Sequence, residues 1–279
     1  MGLSLFYYKS IRGNVGDDFN LWIWPRLFGE LNHYSDVTLV GVGSILDERL
    51  NKIKGEKIIF GSGIRSFLID KNKLEMANIA FVRGPISSKA LDGVNFITDS
   101  AYCLKLTDFI ISDVKKYDAA YVPYFEHIDH FDWSLFEKIT GFKVILPTLG
   151  VEAFLTEIGA SRKVYSSAMH GAIFADILRV PWCRVKAEAH GEEDHLTSEL
   201  KWADWSLSLD INYEPVHIGL NLNGGRRPML TQIIKALLIR KRLIRNKKFS
   251  LSNETVVERK INQLKIEVEK FKLKFLRPL

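Results

Sequence analysis

The residues whose setting suits chemistry lie at the ends of strands, beside glycines and at helix starts. His170 and Gly171 follow the small polar pair Ser166-Ser167 and open a run in which Ile173, Phe174, Ile177 and Leu178 recur at helical spacing. The histidine is therefore expected where backbone N–H groups point out of a helix N-terminus, a place suited to an anion. Arg83 stands between a strand and the helix start Gly84-Pro85, and a guanidinium there can grip a carboxylate or a phosphate with two bonds. Asp17 and Asp18 follow the turn Gly13-Asn14-Val15-Gly16 at another helix start, where one of them can cap the helix. Gly41-Val42-Gly43-Ser44 and Gly61-Ser62-Gly63 each close a short apolar run, the form of loops whose backbone approaches a ligand at strand carboxyl ends. Neither is GxGxxG, so the dinucleotide fingerprint is absent.

Elements that alternate along the chain must position these residues. Strand patterns fall at 3–8, 37–42, 57–60, 79–82 and 96–99, with a helix expected over Ile45–Ile53. Polar residues near 115–117 mark a boundary. Strands then follow at 119–122 and 143–146, with helices over Trp133–Thr140 and Val151–Ile158. The unit around His170 is strand, turn and helix, stopped by Pro181 before a strand from Trp182. Alternation in both halves predicts an α/β protein of two doubly wound parallel-sheet domains, residues 1–115 and 116–225, with ligands between them.

Residues 226–279 carry two further helices. From Leu230 to Leu243, Ile233, Ile234, Leu237 and Leu238 alternate with a basic set, the pattern of a helix that lies on anionic lipid or of a packed helix with a solvated face. From 253 to 275, Val257, Ile261, Leu264, Val268, Phe271 and Phe275 form a heptad seam, which packs on the body or zips with a second copy as a homodimer. The paired Trp202 and Trp205 of a helix expected over 194–207 are core anchors or sugar-stacking faces.

With 47% hydrophobic and 26% charged residues among 279, the chain is globular rather than disordered. A net charge of +6 favours anionic partners. The excess is local, since Lys235, Arg240, Lys241, Arg242, Arg245, Lys247 and Lys248 occur with no acid between them. That run lacks interleaved aromatics, so nucleic acid is not expected as a partner. Cys103 and Cys183 have neither pairing nor metal spacing, and His127, Asp129 and His130 read as a loop, so no metal is expected. A cytoplasmic protein, with peripheral membrane contact through the basic helix, fits the absence of a leader pattern or a long apolar run.

Taken in order, the motifs resemble those of the polysaccharide pyruvyl transferase family, in its exopolysaccharide ketal-forming branch. The likeness lies in Gly13 to Asn20, Trp24 to Leu27, Gly41 to Leu46, Phe60 to Gly63, Arg83 to Pro85 and Asp99 to Ala101. It continues through Ala168 to Ala172, Arg179 to Trp182 and Lys201 to Trp205. The resemblance implies two Rossmann-like domains arranged as in GT-B glycosyltransferases, phosphoenolpyruvate as donor substrate, no further cofactor, and a sugar diol as acceptor, free or lipid-linked. It places donor binding on Arg83 and His170, with Ser167 and Gly171 beside the histidine and Arg65 and Lys186 as further candidate donor contacts. Acceptor contacts fall on Asn14, Gly16, Asp17, Gly43, Ser44, Gly61, Ser62 and Glu126. His170 gives a proton or binds phosphate as imidazolium, and Asp17 or Asp18 accepts hydroxyl protons. Many members carry an arginine two residues before the histidine where this chain has Ala168, so another cation must serve, with Arg65, Arg184, Lys186 and His190 as candidates. Two rivals share the plan: a nucleotide-sugar glycosyltransferase and a non-catalytic partner in polysaccharide assembly.

Overall fold

A computed structural model of the chain describes residues 3–30, 36–67, 77–187, 195–222 and 228–275. It contains two parallel sheets with helices packed on them, consistent with two Rossmann-like domains followed by C-terminal helices. The first sheet has four strands, β1 (Ser4–Phe6), β2 (Val37–Val40), β3 (Glu56–Phe60) and β4 (Ala77–Phe81), arranged in sequence order. Its central strands are buried over most of their length, as parallel strands covered on both faces must be.

The second sheet has five strands, β5 (Ala120–Val122), β6 (Lys143–Val144), β7 (Val164–Ser166), β8 (Trp182–Lys186) and β9 (Val216–His217). Their order, β6-β5-β7-β8-β9, reverses between β5 and β7. In an open parallel sheet, chains leaving either side of such a reversal diverge and leave a crevice at the carboxyl ends. The loops after β5 and β7 therefore open onto one side of the molecule.

The first sheet feeds α1 (Val15–Phe28) and the short α2 (Pro85–Ala90). The second is covered by α3 (Trp133–Thr140), α4 (Val151–Gly159) and α5 (Met169–Ile177). Helices α1, α4 and α5 meet, and one apolar core runs from Phe19 and Ile23 through Phe154 and Phe174. The two sheets thus share a core.

Two late helices return to the first half. Helix α6 (His195–Ser208) packs on α2, while α8 (Glu254–Phe275) lies on the turn of 100–106. The heptad seam packs on the body: Val257, Leu264, Val268 and Phe271 are buried, and Phe271 stacks on Phe28 at 4.2 Å between ring centroids. Helix α7 (Met229–Arg245) instead covers α3, burying Ala236, Ile239 and Leu243. Trp202 and Trp205 are buried with Trp182, as core anchors.

Two expected elements take another form. Over 45–53 the chain makes only a 3-10 turn, Glu48–Lys52, because the Asp47 carboxylate accepts from the Arg49 backbone and guanidinium and competes with helical bonding. At 96–99 a single bridge joins Phe96 to Val82, after which Asp99 caps the 3-10 turn Ser100–Leu106.

Candidate active site

Between the two sheets lies a cleft of about 1270 Å³. Its walls come from the loop after β1, the Gly43 loop, the loops after β5 and β7, the end of β8 and one face of α6. Asn14, Asp17, Gly43, Ser44, Arg65, Glu126, Ser167, His170, Gly171, Arg184 and Lys186 all line it.

The start of α1 is held against the second half by a backbone bond, Val15 N–H to the Pro147 carbonyl at 2.7 Å. This brings Gly16 onto the His170 ring, so close that a Cβ at residue 16 would overlap the imidazole. Only glycine fits there. Two motifs far apart in sequence thus build one surface. Gly171 is required for a similar reason, since its Cβ would overlap Ser166 Oγ and crowd Val122 where α5 meets β7 and β5.

The two acids of the turn separate by task. Asp18 Oδ2 accepts from the Asn14 backbone N–H at 2.9 Å and closes the first turn of α1. It is not among the cleft residues. Asp17 faces the cleft and accepts from Asn14 Nδ2 at 2.6 Å. Burial pushes the Asp17 carboxyl up to about 7, aided by Asp18 and opposed by the Asn14 bond and by Lys201 and Arg49. A carboxyl poised there exchanges protons readily at neutral pH.

His170 keeps 14% of its side chain exposed, and its Nε2 lies 4.0 Å from Asp99 Oδ1. Burial lowers its proton affinity from the ordinary imidazole value, Asp99 raises it, and Arg83 and Lys201 lower it further. Among the described residues, neither His170 Nε2 nor Asp99 Oδ2 has a hydrogen-bond partner. The imidazole is neutral at rest, and an arriving anion would favour its charged form.

Arg83 is placed differently from the expectation that it reaches into the cleft. It has no exposed surface and lies beneath the cleft floor. Its Nε donates to Asp204 of α6 at 3.1 Å and its Nη1 to Ser44 Oγ at 2.7 Å. Asp204 also accepts from the Ile86 and Ser87 backbone and the Ser87 hydroxyl, capping α2. Gly63 and Gly84 leave no room for a side chain beside this pair. Gly61 and Ser62 are likewise buried below the cleft, where the Ser62 hydroxyl donates to the Val40 and Gly41 carbonyls. His190 falls outside the described residues.

Several cleft residues show their roles only in the folded chain. Lys201 acts electrostatically on both Asp17 and His170, and Arg49 acts on Asp17. Lys186 and Arg184 converge on Glu199 of α6, at 2.8 and 2.7 Å. At the rim Arg12 pairs with Asp129, joining the two walls. The family of this site is decided by its sequence. A sequence model of polysaccharide pyruvyl transferases matches residues 5–186, nearly all of both sheets and His170 itself.

The chain belongs to the polysaccharide pyruvyl transferase family. It is also 31% identical over 216 residues to the succinoglycan biosynthesis protein ExoV of Rhizobium meliloti (strain 1021). That match covers 75% of this chain and 66% of the relative's length. The family match ends at Lys186, so α6, which contributes Lys201 and Asp204, and the helices beyond it lie outside the matched segment.

Proposed function

We propose that this pyruvyl transferase moves the enolpyruvyl unit of phosphoenolpyruvate onto two hydroxyls of a sugar, forming a pyruvate ketal on a bacterial surface polysaccharide or its lipid-linked precursor. The observation that carries this reading is the packing of Gly16 against His170, which sets a carboxyl poised near neutrality and a neutral imidazole on one cleft. The cleft is rich in cations, with Lys9, Arg49, Arg65 and Lys201 beside Arg184 and Lys186. A donor bearing both a carboxylate and a phosphate suits such a lining.

The reaction needs an acid and a base in reach of one carbon. One sugar hydroxyl bonds to the central carbon of the enol while its methylene carbon gains a proton. The phosphate C–O bond then breaks, and the second hydroxyl closes the ketal. Of the two hydroxyl protons, one is accounted for in the new methyl group and one leaves with phosphate. Asp17 takes the hydroxyl proton. His170, charged once the donor's anionic groups arrive and steadied by Asp99, delivers a proton and holds the departing phosphate. Lys201 stands in for the arginine replaced by Ala168, since it acts on both residues from the facing wall. Arg83 does not touch substrate in this scheme. It fixes Ser44 and ties α6, hence Lys201, to the first half.

Calorimetric titration tests the reading. Saturable phosphoenolpyruvate binding, weakened at least about tenfold in Lys201→Ala and accompanied by ketal formation that His170→Ala abolishes, is the expected result. The His170→Ala protein should keep its thermal midpoint. Binding of nucleoside diphosphates alone would make the protein a glycosyltransferase. Donor binding without product on any sugar would make it a non-catalytic assembly partner.

A further inference from the structure

Helix α7 has two apolar faces, and only one is covered. Ala236, Ile239 and Leu243 are buried against α3 and the second sheet. On the opposite side, positions 230, 234, 237, 241 and 244 follow the three-and-four repeat of a single helix stripe. Four of these are Leu230, Ile234, Leu237 and Ile244, with Leu238 beside them, and all five are exposed, Leu230 at 68% and Leu237 at 50%. A solvated helix face is ordinarily polar. The remaining position of the stripe is Lys241, flanked by Arg240, Arg242 and Arg245, with Lys247 and Lys248 just past the end of the helix, all exposed. No acid occurs between Met229 and Lys248, and of these cations Lys248 is paired with Glu214. Seven of the 39 basic residues lie in this run against 33 acids in the whole chain, so the rest of the molecule is close to neutral.

We propose that this face of α7 docks on an anionic lipid bilayer, its leucines in the headgroup boundary and its arginines and lysines on lipid phosphates. Apolar side chains in the middle of a one-sign basic field match a surface that is greasy and negative together, which an acidic protein or a free anion is not. Placement adds to the argument. The Gln232 side-chain carbonyl accepts from the Asp132 backbone N–H at 2.7 Å, directly after the turn Phe125–His130 whose residues wall the cleft. The leucine-rich end of α7 therefore lies beside the cleft wall that carries Glu126. If the acceptor sugar is lipid-linked, as in the function proposed above, the helix would hold the cleft near the surface that carries it. Docking itself does not depend on that reading.

Sedimentation of the full chain with vesicles is the test. The protein should partition into phosphatidylcholine vesicles containing phosphatidylglycerol and not into phosphatidylcholine alone. The triple change Lys241→Gln, Arg245→Gln and Lys247→Gln should lower that partition on the order of a hundredfold. Ile234→Ser with Leu237→Ser should lower it about tenfold or more, and both variants should keep the wild-type thermal midpoint. Equal partition into neutral vesicles, no partition at all, or partition indifferent to both variants would overturn the proposal. So would a wild-type dimer that the Ile234/Leu237 variant converts to monomer, because the face would then be covered by a second copy. Phosphoenolpyruvate titration of the same samples keeps failure here separate from failure of the proposed function.

Discussion

Asp99 and Asp176 are both without exposed surface, yet they live in different surroundings. Asp176, on α5, is saturated. It accepts from the Tyr102 hydroxyl at 2.7 Å, Trp182 Nε1 at 3.1 Å, and the Ser252 backbone N–H at 2.8 Å and hydroxyl, joining the first half, the second sheet and the approach to α8. Asp99, under the cleft, accepts among the described residues from the Ala101 backbone alone, and its second oxygen has no partner among them. The same holds around it for Ser100 Oγ, His170 Nε2 and Arg83 Nη2. A buried carboxylate that binds everything in reach serves as a joint. One that leaves hydrogen-bonding capacity uncommitted beside a histidine fits a site whose charge must change during a reaction.

Substitutions can break that contrast. Asp176→Ala strands the Tyr102, Trp182 and Ser252 donors and should cost about 4 kcal/mol in denaturant unfolding, while the folded fraction turns over at the wild-type rate. Lost turnover in folded molecules would make Asp176 more than a joint. Asp99→Asn keeps the oxygen that caps Ala101 and should cost under about 1 kcal/mol in stability. It should lower kcat/KM about ten- to hundredfold and move the His170 limb of the pH profile to lower pH, since Asp99 is the group that raises that imidazole. An unmoved limb would reduce Asp99 to a turn-capping residue.

The smallest effect on stability concerns Asp17. Burial holds its carboxyl at about 7 in the folded chain, above the ordinary carboxyl value of 3.8. The folded state therefore binds more protons than the unfolded one between about pH 4 and 7, and stability attributable to Asp17 falls as pH rises through that window. Asp17→Asn should leave the thermal midpoint unchanged near pH 3.5 and raise it above pH 7. The same variant should remove the limb near pH 7 from kcat/KM. A midpoint difference that is constant with pH would show that Asp17 does not titrate in this window.

Much of the architecture was legible in the sequence because it is local. The alternation of strands and helices, the glycine turns and the His170 helix start each depend on residues close in sequence. The Gly16 and His170 motifs could be named separately, but their contact needed the Val15–Pro147 bond between halves. Arg83 shows the limit most clearly. Its position at a strand end pointed to a ligand, whereas Asp204, 121 residues later, occupies the guanidinium and carries it below the floor. Lys201 stands in a motif the sequence offers, Lys201 to Trp205, but its place on the cleft depends on α6 folding across it. The heptad seam fitted two packings, the body slightly better, and Phe271 packs it against Phe28 and Phe60 of the body.

The return of α6 and α8 to the first half sets a timetable for synthesis. The first sheet leaves the ribosome before the second, yet the Asp204 that neutralises Arg83 and the Phe271 that closes over Phe28 and Phe60 emerge only after β8. Until then a buried cation and an aromatic face wait without cover, with loop-closure entropy still to be met before their contacts form. The second half must fold around an unfinished first half, so a nascent chain arrested before α8 is the species for which chaperone capture and aggregation compete.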